Sequence, residues 1–267
     1  MAVKQDTAMR TVLVAVVLCL ICSIIVSVAA TALKPVQTEN QIIDRQANIL
    51  RVVGLLEEGA DVKQTFEEKV EPRVVNLETG EYREDLDPLL YDQRLAAQDP
   101  NQSQILSAPD DIASIRRQAK NATVYLIRNE QDEIDYVVLP VHGYGLWSTL
   151  YGFLALKSDL NTVHGISFYE HAETPGLGGE VDNPRWKSLW DGKKVYKGEE
   201  VALQVVKGNV TDATPDAEYK VDGLAGATLT SNGVSNLVRF WLGQNGFETY
   251  LDRLSSTQSE SNNVAAK

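Results

Sequence analysis

An uncharged apolar run, residues 11–33, limits what this chain can fold into more than any other feature of its sequence. At about 1.5 Å per residue, a helix of this length crosses a hydrocarbon core of about 30 Å. Such a helix also satisfies its backbone polar groups internally. A cleaved signal peptide is the alternative, with Ala30-Thr31-Ala32 as its cleavage site, but its apolar core usually spans only about 7–15 residues. We therefore predict a retained transmembrane helix over residues 11–33.

The charges beside this run indicate its orientation. Lys4 and Arg10 precede it, and Lys34 follows it but is soon offset by Glu39 and Asp44. The positive-inside rule favours a cytoplasmic segment over residues 1–10. The prediction is a single-pass protein whose C-terminal body lies outside the cytoplasmic membrane, which makes it a periplasmic body on the bacterial inner membrane if the cell is Gram-negative.

The composition of the body excludes several classes of function. A formal net charge of -12 disfavours a nucleic-acid partner, which requires a basic surface. Both cysteines, Cys19 and Cys22, lie in the apolar run and are interpreted as small apolar residues there. The body therefore has neither disulfides nor a cysteine-ligated metal of its own. The spacing of His142, His164 and His171 does not suggest a metal site either.

The first part of the body, residues 34–120, is predicted to be a helical and acidic subdomain. Residues 41–57 have helical apolar periodicity, and a second helical stripe over residues 62–70 is expected to stop at Pro72. Residues 73–120 are rich in turn formers, with a hairpin turn at 78–81 and a short helix around 112–119.

Strand patterns dominate the second part of the body. Short β-branched and aromatic runs separated by turn residues predict an antiparallel meander. A short helix follows over residues 184–190, then a strand over 201–207. An amphipathic helix begins at Thr230 or Ser231 and is extended past Gly243 and Gly246. The fold class is α+β, a mostly antiparallel sheet packed with helices over residues 121–254, followed by a disordered tail over 255–267. The four meander strands are predicted at residues 123–128, 134–141, 150–157 and 162–169.

Residues 222–231 form the first of two segments whose residues could carry chemistry. Its small residues allow close backbone approach to a ligand, and a loop that opens a helix is suited to bind a phosphate. Thr230 or Ser231 is expected to cap the helix. A tight turn with an ordinary cap is the alternative, and the segment is not a Walker A loop. Its sequence is Asp222-Gly223-Leu224-Ala225-Gly226-Ala227-Thr228-Leu229-Thr230-Ser231.

The second segment, residues 171–179, follows an apolar strand. Its proline and glycines predict a tight loop that projects a histidine, a glutamate and a threonine into one space. An acid/base pair is conceivable, although a rigid loop with incidental polar residues is favoured. Its sequence is His171-Ala172-Glu173-Thr174-Pro175-Gly176-Leu177-Gly178-Gly179.

Together these segments resemble the FMN-binding domain family. Asp222-Gly223-x-x-Gly226-Ala227-Thr228 is similar to that family's flavinylation motif, and residues 171–178 resemble its His-x-Glu-Thr-Pro-Gly-Leu-Gly signature. With one anchor and a long segment before the sheet, the whole chain resembles the C subunits of sodium-translocating NADH:quinone oxidoreductases.

The resemblance implies a covalent cofactor. In the family, a flavin transferase moves FMN from FAD onto the threonine that corresponds to Thr228, through a phosphoester. Glu173, Thr174 and Leu177 would line the flavin, with Thr174 bonding the ring, Leu177 packing on it and His171 in support. Gly176, Gly223 and Thr230 are also expected at the site. Trp147, Trp186, Trp190 or Trp241 could stack on the flavin, although a core position is commoner.

The resemblance also implies partners. The chain would relay electrons from an iron–sulfur centre to the FMN of a neighbouring membrane protein, within an assembly of six subunits that oxidises NADH, reduces ubiquinone and moves sodium. The chain departs from the family at Ala225, where serine or threonine is usual. One alternative is the shorter G subunit of the ion-translocating ferredoxin:NAD oxidoreductase. Also open are an anchored non-redox binding or assembly protein and a hydrolase using His171 and Glu173, for which no nucleophile is found.

Overall fold

The computed structural model describes residues 8–265, and the side chains of residues 8–259. The chain divides into two compact units, Met1–Arg45 and Gln46–Lys267. The helices are α1 (Ala8–Val52), α2 (Val62–Lys69), α3 (Gln93–Gln98), α4 (Pro184–Ser188), α5 (Thr228–Leu242) and α6 (Glu248–Ala265). The strands are β1 (Val70–Asn76), β2 (Ser103–Ile105), β3 (Arg117–Ala119), β4 (Asn121–Arg128), β5 (Ile134–Tyr144), β6 (Thr149–Lys157), β7 (Val163–Glu170), β8 (Tyr196–Lys197), β9 (Glu200–Val201), β10 (Gln204–Val205) and β11 (Lys220–Val221).

Helix α1 contains the predicted anchor. Its most apolar window has a mean hydropathy of 3.2 with no residue buried, which makes it a candidate membrane span by length and composition. The separate helix predicted over residues 41–57 is wrong, because α1 continues through Pro35. It ends at Val52, where Gly54 takes a left-handed φ of 71° and donates to the carbonyl of Arg51. Glycine in this conformation is a common helix terminator. Of the predicted cytoplasmic segment, residues 1–7 lie outside the described part.

A five-stranded sheet with the order β1-β4-β5-β6-β7 forms the centre of the body. Every adjacent pair in it is antiparallel. The four predicted strands are confirmed, and β4 to β7 form the predicted meander. The predicted turn at 78–81 is also found, closed by a bond from the Gly80 N–H to the Asn76 carbonyl.

The segment before residue 121 is integrated into this sheet. The second helix ends at Lys69, and residues from Val70 onward, Pro72 included, form β1. Because β1 is an edge strand, the missing N–H of Pro72 leaves no ladder partner unsatisfied on its outer side. The predicted boundary at 120/121 therefore does not separate two bodies.

The helix predicted around residues 112–119 is wrong. Ser114 and Arg116 have positive φ, and the chain then enters β3. The Asp111 carboxylate accepts from the N–H groups of Ile115 and Arg116, which stabilises a turn instead of a helix.

The sheet separates two apolar cores. Val137, Leu139 and Val141 of β5 face the core that contains α5, whereas Val138 faces the other core. This alternation follows from the two-residue period of a strand. The second core also contains the end of α1 and the single buried side chain of α2, through Ile49, Leu50, Val52, Val53 and Phe66.

The C-terminal region differs from its prediction in three ways. The predicted strand 201–207 is split into β9 and β10, and β10 pairs in parallel with β11. Helix α5 ends at Leu242, and α6 is a separate helix. Between them, a Cβ on Gly246 would lie 2.1 Å from the Trp241 carbonyl oxygen, so this turn requires glycine. The predicted disordered tail is helical to Ala265, because residues 248–265 contain no helix breaker and Leu251 and Leu254 pack into the core.

Candidate functional site

The two motif loops meet at the start of α5. Gly226 has a left-handed φ of 71°, and a Cβ there would lie 3.0 Å from Cδ2 of Leu177. Residues 171–178 and 222–228, about fifty positions apart in sequence, therefore share one site.

Thr228 is the first residue of α5, and its side chain is exposed. The capping residue Ala227 has no side chain that can accept a hydrogen bond, and the first backbone bond runs from the Ser231 N–H to the Ala227 carbonyl at 3.0 Å. The N–H groups of the first turn thus have no intrahelical acceptor. Together with the helix dipole, these N–H groups favour an anion beside Thr228.

A cavity of about 270 Å³ opens beside the Thr228 side chain. We call it the cup, and its walls are residues 205–209, residues 223–226 and the first turns of α5 at Thr228, Ser231 and Asn232. A Cβ on Gly223 would lie 2.3 Å from the Val206 carbonyl oxygen, so only glycine allows the two walls to approach this closely. The carboxylate of Asp222 accepts from the Val210 N–H at 2.7 Å, and its carbonyl accepts from Nε1 of Trp186 at 2.8 Å. Asp222 therefore fixes the walls of the cup.

Glu173 connects three segments around the site. Its Oε1 accepts from the N–H groups of Leu146 and Trp147, both at 2.9 Å, and more distantly from that of Ser148. Its Oε2 accepts from the Thr230 hydroxyl at 2.6 Å. Both oxygens of this buried carboxylate are thus engaged by protein donors, so Glu173 positions the loops and does not present a free oxygen to a ligand.

Burial alone would raise the pKa of the Glu173 carboxyl. The hydrogen bonds from Thr230 and from the backbone of residues 146–148 outweigh burial, and the pKa lies below its ordinary value. The side chain is therefore a carboxylate at neutral pH. An acid/base role for Glu173 has no support in this geometry.

His171 supports the loop from outside. Its Nε2 lies 2.7 Å from Oδ2 of Asp182, and its Nδ1 accepts from the Glu173 N–H at 3.2 Å. Since Nδ1 accepts, the proton of the neutral ring is on Nε2 and is donated to Asp182. His171 therefore holds Glu173 and the 3-10 helix Gly178–Asp182 in register.

The remaining loop residues present side chains outward. Thr174 is exposed, and its carbonyl accepts from the N–H groups of Leu177 and Gly179. Gly176 has a φ of 75°, which permits the tight turn between them. Leu177 is 44% exposed although it is a large apolar residue.

Leu177 is one of several exposed apolar side chains near Thr228, which we call the apolar rim. The Glu173 carboxylate holds the segment that carries Leu146 and Trp147 to the first turn of α5. Trp147 is 65% exposed, whereas the three other tryptophans are buried, so Trp147 is the one available for stacking. The apolar rim consists of Tyr144, Leu146, Trp147, Leu177 and Leu229.

The predicted cap of α5 is wrong, since Ala227 holds the capping position. Neither Thr230 nor Ser231 caps α5, because both lie inside its first turn. Thr230 instead donates to Glu173, and the Ser231 hydroxyl accepts from the Leu224 N–H at 3.0 Å. Both are buried, which leaves Thr228 as the accessible hydroxyl of the first turn.

The sequence offers Trp147 as one of four tryptophans that could stack on the flavin, but it does not single out the cup wall at 205–209 or the rest of the 144–148 segment as parts of the site. Lys207-Gly208-Asn209 has the composition of a turn after a strand, and Trp147 sits in the turn between two strands. These signals indicate turns, but they do not indicate which other loop lies beside them. Within residues 8–265, no group of three histidine, cysteine or acidic residues could hold a metal ion.

Comparison with known proteins agrees with this geometry. The model of the FMN-binding domain family matches residues 145–243, which include both motif loops. The C subunit of the Na(+)-translocating NADH-quinone reductase of Pseudomonas aeruginosa is 52% identical over 94% of this chain and 97% of its own length. The corresponding C subunit of Vibrio alginolyticus is 47% identical over 95% of this chain and 98% of its own length.

Solved structures agree as well. The crystal structure of Shewanella oneidensis NqrC superposes with a TM-score of 0.76 at 34% identity, covering 82% of this chain and 99% of the other. The crystal structure of the C subunit from Parabacteroides distasonis gives a TM-score of 0.65 at 28% identity, covering 82% and 96%.

Proposed function

The chain belongs to the family of C subunits of the Na(+)-translocating NADH-quinone reductases, and from this membership we propose that it carries FMN as a phosphate ester on Thr228 and relays electrons within that complex. One observation carries the proposal. Thr228 is the exposed hydroxyl at an uncapped helix N-terminus, beside a cup whose wall tolerates only glycine at residue 223.

The residues at the site fit both ends of FMN. The first turn of α5 offers N–H donors and a favourable dipole to a phosphate. The apolar rim offers exposed surface to a flavin ring, since Leu177 contacts the Gly226 position and Trp147 is held by Glu173. Large apolar side chains left in solvent in one place commonly mark a binding surface. Thr174 and Leu177 remain proposed ring contacts, while Glu173 and His171 position the loop that carries them.

The attachment is a phosphoryl-type transfer. Oγ1 of Thr228 bonds to the flavin-side phosphorus of FAD, and the bond from that phosphorus to the bridging oxygen breaks. AMP leaves with the bridging oxygen, and the hydroxyl proton passes to a base of the flavin transferase or to water. The ring keeps its chemistry, and bound FMN supplies the electron transfer.

The proposed place in the complex follows from family membership. The chain relays electrons from an iron–sulfur centre to the FMN of a neighbouring membrane protein, in an assembly of six subunits. The body lies on the periplasmic side of the inner membrane, with α1 as its single span. The match to C subunits over nearly the whole chain, segment 34–120 included, supports this choice over the shorter G subunit.

Mass spectrometry of the chain co-expressed with a flavin transferase tests the proposal. We expect a mass gain equal to FMN minus water in the wild type and in Thr211→Ala, an exposed threonine of the neighbouring loop. Thr228→Ala should show no gain. Absence of a gain in the wild type, with the transferase active on another acceptor, would refute the covalent assignment. Retention of the gain in Thr228→Ala would move the attachment to another residue.

A further inference from the structure

Among the described residues, Lys207 is the only one with a charged side chain that lines the cup beside Thr228. It lies in the turn after β10, opposite Gly223 and the first turn of α5. Its position is fixed by the neighbouring backbone, since the Gly223 N–H donates to the Gly208 carbonyl at 2.9 Å and the Val206 N–H donates to the Val221 carbonyl at 2.9 Å.

The Lys207 ammonium has no hydrogen-bond or ion-pair partner within the part of the chain that the structure describes. Most lysines within residues 46–259 do have one. Lys157, Lys194 and Lys197 pair with aspartates, and others donate to backbone carbonyls.

Asp222 directly precedes the cup residue Gly223, but its carboxylate does not pair with the Lys207 ammonium. Asp222 directs its Oδ1 to the Val210 N–H, and no ion pair joins it to Lys207. The remaining cup residues are apolar or neutral, with the amides of Asn209 and Asn232 as the polar side chains besides Thr228 and Ser231. The cup therefore has one positive charge and the acceptor hydroxyl in the same cavity.

We propose that Lys207 binds the phosphate at Thr228, first as the pyrophosphate of the incoming FAD and afterwards as the phosphodiester of the attached FMN. This inference rests on the proposed function. The ammonium donates to the non-bridging oxygens of the flavin-side phosphate while Oγ1 of Thr228 bonds to its phosphorus and AMP departs. Such charge-assisted hydrogen bonds are stronger than neutral ones.

The test compares initial rates of FMN attachment from FAD, catalysed by purified flavin transferase on the full chain in detergent. The chains are the wild type, Lys207→Gln, Lys207→Arg and Lys63→Gln, which removes an equal charge from an exposed lysine of α2. Because Lys207 is exposed and its contribution is screened by water, we expect Lys207→Gln to be about threefold to fivefold slower than wild type. Lys207→Arg and Lys63→Gln should match wild type.

Salt separates a charge effect from a packing effect. Raising the ionic strength from about 0.05 M to about 0.5 M should bring the rates of wild type and Lys207→Gln together, because the screening length falls well below 10 Å. On the loaded proteins, the ³¹P chemical shift of the phosphodiester should differ between Lys207→Gln and both controls.

Each outcome decides between the two proposals. Equal rates for wild type and Lys207→Gln at low salt overturn the role of Lys207 and leave the attachment at Thr228 intact. A slow Lys207→Gln that Lys207→Arg does not rescue, or that keeps its deficit at high salt, also overturns it. A wild type that gains no FMN refutes the proposed function itself.

Discussion

Among single residues, Glu173 contributes most to the shape of the site. One carboxylate accepts from Leu146, Trp147 and Thr230, so it ties a β-turn, a motif loop and a helix N-terminus together. Gly145 and Gly178 make room for it, because a Cβ at either position would lie within 2.6 Å of a Glu173 carboxylate oxygen. Hydrogen bonds to a charged, buried acceptor are worth about 1.5–3 kcal/mol each.

Replacement of Glu173 by glutamine should therefore destabilise the body. The amide would turn one acceptor into a donor and leave either Thr230 or the N–H groups of the turn unsatisfied. We expect a loss of about 2 kcal/mol in the free energy of unfolding, measured in urea. Glu170→Gln is the matched control, because its pair with Arg94 is more than half exposed at the carboxylate and contributes at most about 1 kcal/mol. Equal losses in the two variants would contradict the role assigned to Glu173.

The stability difference between wild type and Glu173→Gln should depend on pH. The folded pKa of Glu173 is lowered, so the unfolded chain binds the proton more readily. The contribution is complete above the ordinary carboxyl pKa of 4.5 and is lost as the pH falls through the folded pKa. The difference in free energy of unfolding should thus be constant near pH 7 and shrink in acid. A difference that grows below pH 4.5 would show that the carboxyl is stabilised in its protonated form.

The site could be predicted only in part from its residues. The motif loops and Thr228 follow from the resemblance, because both motifs are local in sequence. The sequence offers Trp147 only as one of four possible stacking rings and gives Lys207 no role, because both reach the site through non-local contacts such as the pairing of β10 with β11. The sequence predicts Thr230 or Ser231 as the cap of α5 because a hydroxyl suits a cap, but the Thr230 hydroxyl donates to the buried Glu173 carboxylate and the Ser231 hydroxyl accepts from the Leu224 N–H.

Among the secondary-structure elements, α5 is placed by close contact with the turn after β5. A Cβ on Gly233 would lie 2.5 Å from the Tyr144 carbonyl oxygen and 3.0 Å from Cα of Gly145. The glycine thus allows the first turns of α5 to lie against the segment that carries the apolar rim. A helix-interior glycine otherwise costs about 1 kcal/mol relative to alanine.

The Gly233→Ala variant tests whether the gain in helix propensity or the clash with the Tyr144 turn is larger. Alanine should contribute about 1 kcal/mol through helix propensity, and the backbone clash should cost about 1–3 kcal/mol. We expect a net loss of up to about 2 kcal/mol in the free energy of unfolding and a reduced yield of attached FMN, because the Tyr144 turn must move. Asn232→Ala, an exposed neighbour, should change stability by less than about 0.5 kcal/mol. A more stable Gly233→Ala would mean that the contact is loose.

Local sequence patterns identify some elements of this fold and not others. Strands β4 to β7 were predicted because each has a strong local pattern and pairs with its sequence neighbour. Strand β1 was missed because it contains Pro72 and pairs with β4 across the intervening segment. The C-terminal part of α6 has a polar composition that is typical of disorder, so the sequence does not predict it as a helix. The apolar side chains in the N-terminal part of α6 pack into the core and order the helix.

At the scale of the whole molecule, helix α1 contributes residues to both compact units. Its apolar part belongs to the unit Met1–Arg45, whereas its last turns belong to Gln46–Lys267 and bury side chains in the second core. Ile49 and Leu50 are fully buried there, and Val52 and Val53 nearly so. The body therefore begins within a helix whose other part is the candidate membrane span.

Two truncations should separate these roles. A chain of residues 46–267 keeps the four buried side chains and should fold as a soluble monomer with a cooperative urea transition. A chain of residues 55–267 lacks Ile49, Leu50, Val52 and Val53, whose burial contributes about 1.5–3 kcal/mol each. Their sum approaches the whole stability of a typical domain, about 5–15 kcal/mol, so the shorter chain should aggregate or unfold. Gel filtration and urea titration distinguish the outcomes.

Equal stability of both chains would mean that the end of α1 covers the sheet without stabilising it. The Leu50→Ala variant of chain 46–267 checks this independently, and we expect it to lose about 2–5 kcal/mol in the free energy of unfolding. A much smaller loss would agree with equal stability of the two chains.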